Sequence, residues 1–426
     1  MSRRIFYSYF QFLATGCIIL ATSCTPSVPG ARIAKSQPIK PSAEVASKEF
    51  ELATTSAVKM PWVDGNHIET LVNGHQIYPA MLDAIRSAKK TVTFETYAFV
   101  NGTVAYNFVN AFCERARAGV KVHVILDVIG GKDMGKENVK RMHAAGVDVK
   151  LYHPFRISNP LQFNIRDHRK IMVVDGKVGF SGGCGIGDDW KGNAHTSDNW
   201  RENHYRITGP VVAQLQQGFN DNWVKCGGRQ LAGPDYFPPL RRTGDIRAQA
   251  FNSAPEDQLF TIPHLYRQAF ASARKSIIIE NSYVYLDQPM MDAILDARQR
   301  GVHVELILAW EHTDSWPVRY LSIYQYHKLL KAGVHIYEYK TSMIHCKVMV
   351  IDGLFTAIGS ANIDPRSLYI NDESNVNVIS RKFAREQLRI IERDKLRCQR
   401  ITEARNPWNP LSFVPRAAIG LIGPQI

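Results

Sequence analysis

The feature that most constrains this chain is an internal duplication. A helix-like apolar pattern at residues 78–90 precedes a strand-like segment at 91–97, and the same order recurs at 265–275 and 276–283. Each copy continues with a helix that ends at glycine, which suits the left-handed helix stop, and then with an apolar strand-like run. This repetition predicts two copies of one structural unit.

The alternation of strands and helices predicts the fold class. Strand, helix and strand follow one another in both copies, which is typical of an α/β fold. We predict two pseudo-symmetric α/β sandwich repeats with mixed β-sheets, packed so that they form one shared active site. The first repeat is placed at residues 59–228 and the second at 239–397, with a stretch containing glycine and proline between them. Residues 398–426 are predicted to form a carboxy-terminal tail.

The amino terminus has the composition of an export signal. Two arginines precede a mostly apolar run at residues 10–21, and Cys24 follows in a sequence similar to a bacterial lipoprotein cleavage box. The similarity is incomplete, because alanine and not leucine lies three residues before Cys24. An uncleaved membrane anchor is the alternative for residues 1–24, although several polar residues make this segment a poor full-length span.

The segment after Cys24 is predicted to be a flexible linker. Residues 25–58 begin with a stretch rich in proline, serine, alanine and lysine, a composition that cannot bury a core. A linker between a membrane attachment and a globular body predicts a membrane-associated bacterial protein, lipidated or anchored at its amino terminus and facing the periplasm.

Both repeats contain the same short motif, His-x-Lys-x4-Asp followed by glycine. Its residues are His168, Lys170 and Asp175 in the first repeat and His345, Lys347 and Asp352 in the second. Residues two apart in a strand share a face, so the histidine and the lysine of each motif point together. The aspartate has the opposite parity and precedes glycine, which is typical of a hairpin turn. We therefore expect the aspartates to support the site structurally and not to complete a catalytic triad.

Two His-Lys pairs facing each other predict chemistry at a phosphodiester. Two ammonium groups would neutralise and hold the negatively charged group. One neutral imidazole could attack phosphorus, while the second, protonated, would give its proton to the departing alcohol and later take one from the incoming alcohol. Because the lysines supply the electrostatic stabilisation, we predict no metal and no cofactor. A chain that carries both motifs would function as a monomer, and its oligomeric state is not predicted.

These motifs resemble those of the phospholipase D superfamily, and the resemblance extends beyond them. The segment at residues 359–362 is similar to the family's Gly-Ser-x-Asn segment, which implies that Ser360 and Asn362 help to hold the phosphate. The first repeat departs from this pattern, because Gly185 occupies the position where the family usually has asparagine. That repeat would therefore lack one phosphate donor.

The resemblance also implies two acids that orient the histidines. Glu373 lies 373 − 345 = 28 residues after His345, where the family places such an acid. Glu202 belongs to a Trp-Arg-acid pattern similar to that of bacterial cardiolipin synthases, and it is the implied counterpart for His168. A carboxylate that accepts from one ring nitrogen keeps the required tautomer.

The resemblance implies a phosphatidyltransferase, and cardiolipin synthesis from phosphatidylglycerol and a second phospholipid fits most features. By resemblance alone, His168 takes the phosphatidyl group and His345 acts first as acid and then as base. One alternative is a phospholipase D, phosphodiesterase or nuclease, in which water is the acceptor. A second alternative is a non-enzymatic, membrane-tethered binding protein, and the two intact motifs argue against it.

The charge of the chain indicates an acidic partner. The formal net charge is +13, which favours anionic lipid, a phosphorylated substrate or nucleic acid. We predict an anionic phospholipid substrate and a membrane surface as partners. Nucleic acid is the less favoured partner, because the sequence has no run of aromatic residues typical of a single-strand binder.

Overall fold

The computed structural model describes residues 43–155, 160–257 and 259–403. The elements up to the end of the first repeat are α1 (Lys48–Val58), β1 (Val63–Val72), α2 (Gly74–Ser87), β2 (Thr91–Thr96), α3 (Thr103–Arg117), β3 (Lys121–Asp127), α4 (Lys136–Ala144), β4 (Asp148–Tyr152), β5 (Lys170–Val174), β6 (Val178–Gly182), β7 (Asn203–Thr208) and α5 (Val212–Lys225). The second repeat contains β8 (Ile246–Ser253), α6 (Thr261–Ser272), β9 (Ser276–Asn281), α7 (Gln288–Gln299), β10 (His303–Ala309), α8 (Trp316–Lys331), β11 (His335–Tyr339), β12 (Lys347–Ile351), β13 (Phe355–Gly359), α9 (Pro365–Tyr369), β14 (Glu373–Ile379), α10 (Arg381–Lys395) and β15 (Cys398–Ile401).

The two repeats have the same strand order, and this order runs in opposite directions along one shared sheet. The order is β15-β11-β10-β9-β12-β13-β14-β8-β1-β7-β6-β5-β2-β3-β4. Strands β2, β3 and β4 are parallel, as are β9, β10 and β11, whereas β5 and β12 run antiparallel to their neighbours β2 and β9. The predicted mixed sheets are therefore confirmed. The antiparallel pairing of β1 with β8 joins them into one continuous sheet.

Three apolar cores hold the repeats together. Each repeat has an outer core under its own helices, which contains Phe94 in the first repeat and Ile279 in the second. The third core contains residues of both repeats, among them Val173, Val350 and Phe219. Strands β2, β5 and β12 are buried along their whole length, because helices cover both of their faces. The shared core fixes the position of one repeat against the other.

The predicted linker and tail boundaries are wrong in part. Residues 48–58 form α1 and do not belong to a linker, because Phe50 and Val58 are buried in the core of the second repeat. At the other end, β15 pairs antiparallel with β11, so the second repeat continues to Ile401. The signal or anchor at residues 1–24, including Cys24, lies outside the described residues, as does the tail from residue 404. No helix of the described ranges is long and apolar enough to span a bilayer.

Candidate active site

Both His-Lys motifs lie at one edge of the sheet. Lys170 begins β5 beside the carboxyl end of β2, and Lys347 begins β12 beside the carboxyl end of β9. His168 and His345 immediately precede these two strands. The parallel strands of both repeats end at this edge, where sheets of this kind bind their ligands. The motifs are therefore placed for a shared site.

Two backbone bridges join the repeats at this edge. The His168 N–H donates to the Asp372 carbonyl at 2.9 Å, and the His345 N–H donates to the Arg201 carbonyl at 2.7 Å. Both contacts belong to short parallel bridges between the repeats. Each accepting residue immediately precedes the candidate glutamate of its own repeat. Each bridge therefore places the glutamate of one repeat beside the histidine of the other.

The resulting histidine–glutamate pairs are crossed between the repeats. Glu373 lies 2.8 Å from His168 Nδ1, and Glu202 lies 2.6 Å from His345 Nδ1. The implied assignments of Glu202 to His168 and of Glu373 to His345 are both wrong, because the bridges exchange the partners. In each pair the carboxylate beside Nδ1 favours the tautomer in which Nδ1 carries the proton and Nε2 carries the lone pair. Both imidazoles are therefore in the tautomer that a nucleophile or a base requires.

Burial keeps both imidazoles neutral near pH 7. Burial lowers the pKa of His168 to about 4, although Glu373 acts in the opposite direction. Burial, together with the charges of Lys347 and Lys170, holds the pKa of His345 well below its usual range. Charges from both repeats thus act on one histidine, which indicates that the two motifs share one pocket. A neutral imidazole is the form that can attack phosphorus.

The two lysines are buried and anchored by backbone carbonyls. Lys170 Nζ donates to the His168 carbonyl and Lys347 Nζ to the His345 carbonyl, each at 2.7 Å. Lys347 also donates to Ser282 Oγ at 3.0 Å. Burial lowers the pKa of Lys170 to about 8 and also lowers the pKa of Lys347. Each ammonium has three donors, so Lys170 retains capacity for an anionic ligand.

The glutamates differ in how they are held. Ser360 Oγ and Ser367 Oγ donate to Glu373 at 2.5 and 2.7 Å. Burial opposes its ionisation, but the adjacent His168 and Lys170 lower the pKa of the Glu373 carboxyl below its usual value.

Glu202 has no serine partner among the described residues. Its carboxylate accepts from the Asn203 N–H at 2.9 Å as well as from His345, and burial raises its pKa to about 7. The two pairs are similar in geometry and different in electrostatics.

Both repeats match one known protein family. The model of the family described as "Cardiolipin synthase, PLD-like domain" matches residues 81–223 and 266–395, one match in each repeat. The chain belongs to the phospholipase D superfamily. Both matched segments contain a complete His-x-Lys-x4-Asp motif, so the superfamily assignment rests on the residues that form the pocket.

Similar superfamily members carry the name cardiolipin synthase. The chain is 34% identical over 310 residues to the cardiolipin synthase of Geobacillus kaustophilus, a match that covers 72% of this chain and 61% of that protein. It is 31% identical over 349 residues to cardiolipin synthase A of Pseudomonas fluorescens, covering 81% of this chain and 72% of that protein. The chain thus spans less than two thirds of the Geobacillus relative.

Solved structures support the superfamily fold. The structure of a phosphatidylserine synthase from Haemophilus influenzae superposes with a TM-score of 0.66 and 11% identity, covering 88% of this chain and 96% of that one. A polyphosphate kinase from Porphyromonas gingivalis superposes with a TM-score of 0.53 and 13% identity, covering 79% of this chain and 48% of that one. At such identities the likeness concerns the fold alone.

The departure from the superfamily pattern at Gly185 has a structural reason. A Cβ atom there would lie 2.9 Å from Ala98 and 3.0 Å from the Trp190 ring. The rings of Trp190 and Trp200 in turn lie 5.6 and 5.2 Å from the His345 ring. The first repeat thus presents aromatic rings where the second repeat has the polar side chain of Asn362. Trp200 was part of the recognised motif, whereas no spacing signal in the sequence pointed to Trp190.

The two residues expected to hold phosphate have different surroundings. The Ser360 hydroxyl donates its hydrogen bond to Glu373, so this serine supports the carboxylate. This contact argues against the predicted role of Ser360 as a phosphate donor, because the hydroxyl has only one proton. Asn362 is buried, and its Oδ1 has no hydrogen-bond partner among the described residues. Its role at the phosphate stays a prediction.

The motif aspartates lie at the opposite ends of their strands. Asp175 accepts from the N–H groups of Lys89, Lys90 and Thr91. Asp352 accepts in the same way from the N–H groups of residues 274–276. Both aspartates have a positive φ, 51° and 53°, and precede glycine in a hairpin. Each therefore ties a hairpin to the turn that precedes β2 or β9, the structural role expected from the sequence.

One group of potential metal ligands occurs in the described part of the chain. The ligand atoms of His303, Glu305 and His335 lie within 4.8 Å of one another. The group lies at the amino-terminal ends of β10 and β11, far from the edge that carries the histidines, and Lys395 forms an ion pair with Glu305 at 2.7 Å. It is separate from the candidate active site, for which we predicted no metal.

Proposed function

We propose that this protein is a phosphatidyltransferase that makes cardiolipin from phosphatidylglycerol and a second phospholipid. The observation that carries the proposal is the pair of crossed histidine–glutamate contacts, flanked by two buried lysines. This arrangement provides two imidazoles with free Nε2 atoms and two ammonium groups in one pocket. Such a set can exchange one alcohol for another at a phosphodiester.

In the first step, Nε2 of His168 attacks the phosphorus of phosphatidylglycerol. The new P–N bond forms as the P–O bond to the glycerol headgroup breaks, and His345 gives its proton to the departing oxygen. The anionic phosphate opposes the effect of the lysines on His345, so substrate binding favours the protonated form that this step needs. Glycerol leaves, and a phosphatidyl group remains on His168.

In the second step, a hydroxyl of a second phospholipid is the acceptor. The neutral His345 takes the proton of this hydroxyl, whose oxygen attacks phosphorus and breaks the P–N bond. Cardiolipin forms, His168 is neutral again, and His345 is protonated as before. Lys170 and Lys347 stabilise the added negative charge in both transition states. No metal is required in this scheme, and activity in the presence of a chelator would support that point.

The choice of lipid and the location of the enzyme rest on further arguments. Relatives that are 31% and 34% identical to this chain over the aligned residues are named cardiolipin synthases, which supports phosphatidylglycerol as substrate. Attachment through Cys24 or an amino-terminal anchor and a periplasmic position remain part of the proposal, because residues 1–24 lie outside the described ranges. Water as acceptor, giving phosphatidic acid, is the competing outcome.

Mass spectrometry of lipid products tests the proposal. Full-length protein is incubated with phosphatidylglycerol vesicles and, separately, with plasmid DNA. We expect cardiolipin and glycerol as products, and loss of both in His168→Ala and His345→Ala. His143→Ala, which removes an exposed histidine of α4, is the matched control and should retain activity. Phosphatidic acid as the main product, or DNA cleavage without lipid turnover, would contradict the assignment.

A further inference from the structure

A row of arginines follows one side of α10 and the turn after it. The residues are Arg381, Arg385, Arg389, Arg393 and Arg397, spaced four apart, and all are exposed. Residues four apart on a helix are neighbours, and like charges in such positions repel each other and destabilise the helix. The row therefore needs an explanation beyond helix formation.

The row is not neutralised from within the protein. Among the described residues, no carboxylate lies within 4.0 Å of any of these five guanidinium groups, whereas Lys395 on the same helix contacts both Glu305 and Glu392. Asp394 lies among the arginines, but Arg201 of the first repeat engages it at 2.6 Å. The arginine row thus offers positive charge to something outside the described chain.

Part of the row lines a groove. One cavity of about 320 Å³ is bounded by Arg393 and Arg397 together with His75 and His195. A second cavity of about 640 Å³ shares Arg393 with it and adds Arg389 and the acidic Glu386. Three arginines of the row thus outnumber the one lining carboxylate that Arg201 does not engage. Together they form a continuous cationic groove between α10 and the edge formed by β1 and the start of α2.

One end of the groove lies near the edge of the sheet that carries the active site. Strand β14 begins at Glu373 and runs away from this edge, and α10 returns to it. Cys398 then pairs with Tyr339 at the carboxyl end of β11. Arg201, which lines the groove, immediately precedes the catalytic Glu202. Arg381 and Arg385 lie at the far end of α10 and line neither cavity.

We propose that this groove binds the phosphate of an anionic phospholipid at the membrane surface, separately from the catalytic pocket. Arg389, Arg393 and Arg397 supply the positive charge, and planar guanidinium groups suit bidentate contact with phosphate oxygens. The position of the groove beside the active-site edge favours a lipid over a long polyanion. The lipid nature of the ligand rests on the proposed function, whereas the binding of phosphate does not.

The test compares two charge-matched double variants of the full-length protein. Arg389→Gln/Arg393→Gln removes two charges from the groove, and Arg381→Gln/Arg385→Gln removes two from the same helix outside it. The readout is binding to vesicles of phosphatidylglycerol and phosphatidylcholine, divided by binding to phosphatidylcholine vesicles, so that an amino-terminal anchor cancels. We expect this ratio to fall about tenfold or more in the groove variant and less than about twofold in the control.

Each other result has a defined meaning. An equal fall in both variants, or no fall in either, overturns the proposal, because diffuse charge would then explain binding. Inorganic phosphate that raises the melting temperature only when the groove is intact, without a change in the vesicle ratio, would assign the site to free phosphate. If the groove variant lost only its binding to polyphosphate or DNA, the site would be assigned to a linear polyanion. Failure of the wild-type chain to turn over phosphatidylglycerol would count against the proposed function and leave the vesicle ratio interpretable.

Discussion

The two histidine–glutamate pairs share a framework and differ in their surroundings. His168 is 13% exposed and its partner Glu373 is held by two serine hydroxyls, whereas His345 is 6% exposed and packed against two tryptophans. The difference shows that a duplicated motif fixes where the reacting groups lie but not how they are tuned. The accessible His168, beside an ionised carboxylate, is the better placed nucleophile.

Substitution of either histidine is expected to have the largest effect. It also tests which histidine is the nucleophile. His168→Asn and His345→Asn should each lower kcat/KM by about a thousandfold or more, because each removes a reacting group. Only His345→Asn should accumulate a phosphatidyl group, carried on His168, which mass spectrometry of the intact protein would detect. An adduct on His345 in the His168→Asn variant would reverse the assignment.

Removal of either carboxylate should have the next largest effect. Glu373→Gln and Glu202→Gln replace an acceptor by an amide that no longer favours the required tautomer, so we expect losses of about a hundredfold in kcat/KM. The loss should be greater for Glu373, the carboxylate with the lowered pKa. Steady-state kinetics of both variants measures the difference, and equal losses would show that the two environments do not matter.

The dependence of kcat/KM on pH should distinguish the two histidine–glutamate pairs. Burial raises the pKa of Glu202 to about 7, so its protonation removes the acceptor for His345 and lowers kcat/KM about tenfold per unit below that pH. The pKa of Glu373 is lowered, and it contributes nothing to this limb. Burial lowers the pKa of Lys170 to about 8, so its ammonium charge is lost, and activity falls, as the pH rises above that value.

Two variants test these pH assignments. Lys170→Arg keeps its charge and should move the alkaline limb to higher pH. Glu202→Gln should abolish the acid limb near pH 7, and persistence of that limb would show that another group titrates there.

Substitution of residues that contact the two glutamates should have smaller effects on kcat. A Cβ atom at Gly183 would lie 2.6 Å from the Glu202 carboxylate oxygens, so Gly183→Ala should displace this carboxylate and lower kcat about tenfold. Ser360→Ala removes one of two serine donors to Glu373 and should lower kcat only about twofold to fivefold. The comparison uses kcat at saturating lipid, with thermal unfolding as the folding control. A larger loss in Ser360→Ala would mean that its hydroxyl also contacts the substrate.

Substitution of the motif aspartate should have the same effect in both repeats. Asp175→Asn and Asp352→Asn each weaken three backbone hydrogen bonds and should lower the free energy of unfolding by about 1–3 kcal/mol. Neither change should affect kcat, because both residues lie at the strand ends remote from the histidines. Urea denaturation gives the stability, and a selective loss of kcat would contradict a purely structural role.

Much of the fold could be predicted from the sequence because its signals are local. Apolar periodicity and glycine helix ends identified both repeats, and strand parity placed each histidine and lysine on one face. The hairpin role of Asp175 followed from its position before glycine. The boundary at α1 was missed because residues 48–58 are largely polar and their few apolar side chains, such as Phe50, pack against a distant repeat.

The details of the site depend on contacts between the repeats. The crossed partners of the histidines arise from backbone bridges between residues about 200 positions apart, such as the bridge from Asp167 to Asp372. Sequence spacing assigned Glu373 to His345, the histidine of its own repeat, whereas the structure pairs it with His168. The contact of Trp190 with His345 and that of Ser367 with Glu373 likewise come from loop packing that leaves no periodic signal.

The crossed contacts have a consequence for biosynthesis. Glu373 is translated 205 residues after His168, the histidine of the first repeat that it orients. A nascent chain that ends before residue 373 therefore holds His168 without its orienting acid. His168 is expected to reach full reactivity only when β14 pairs with β8 and brings Glu373 beside it.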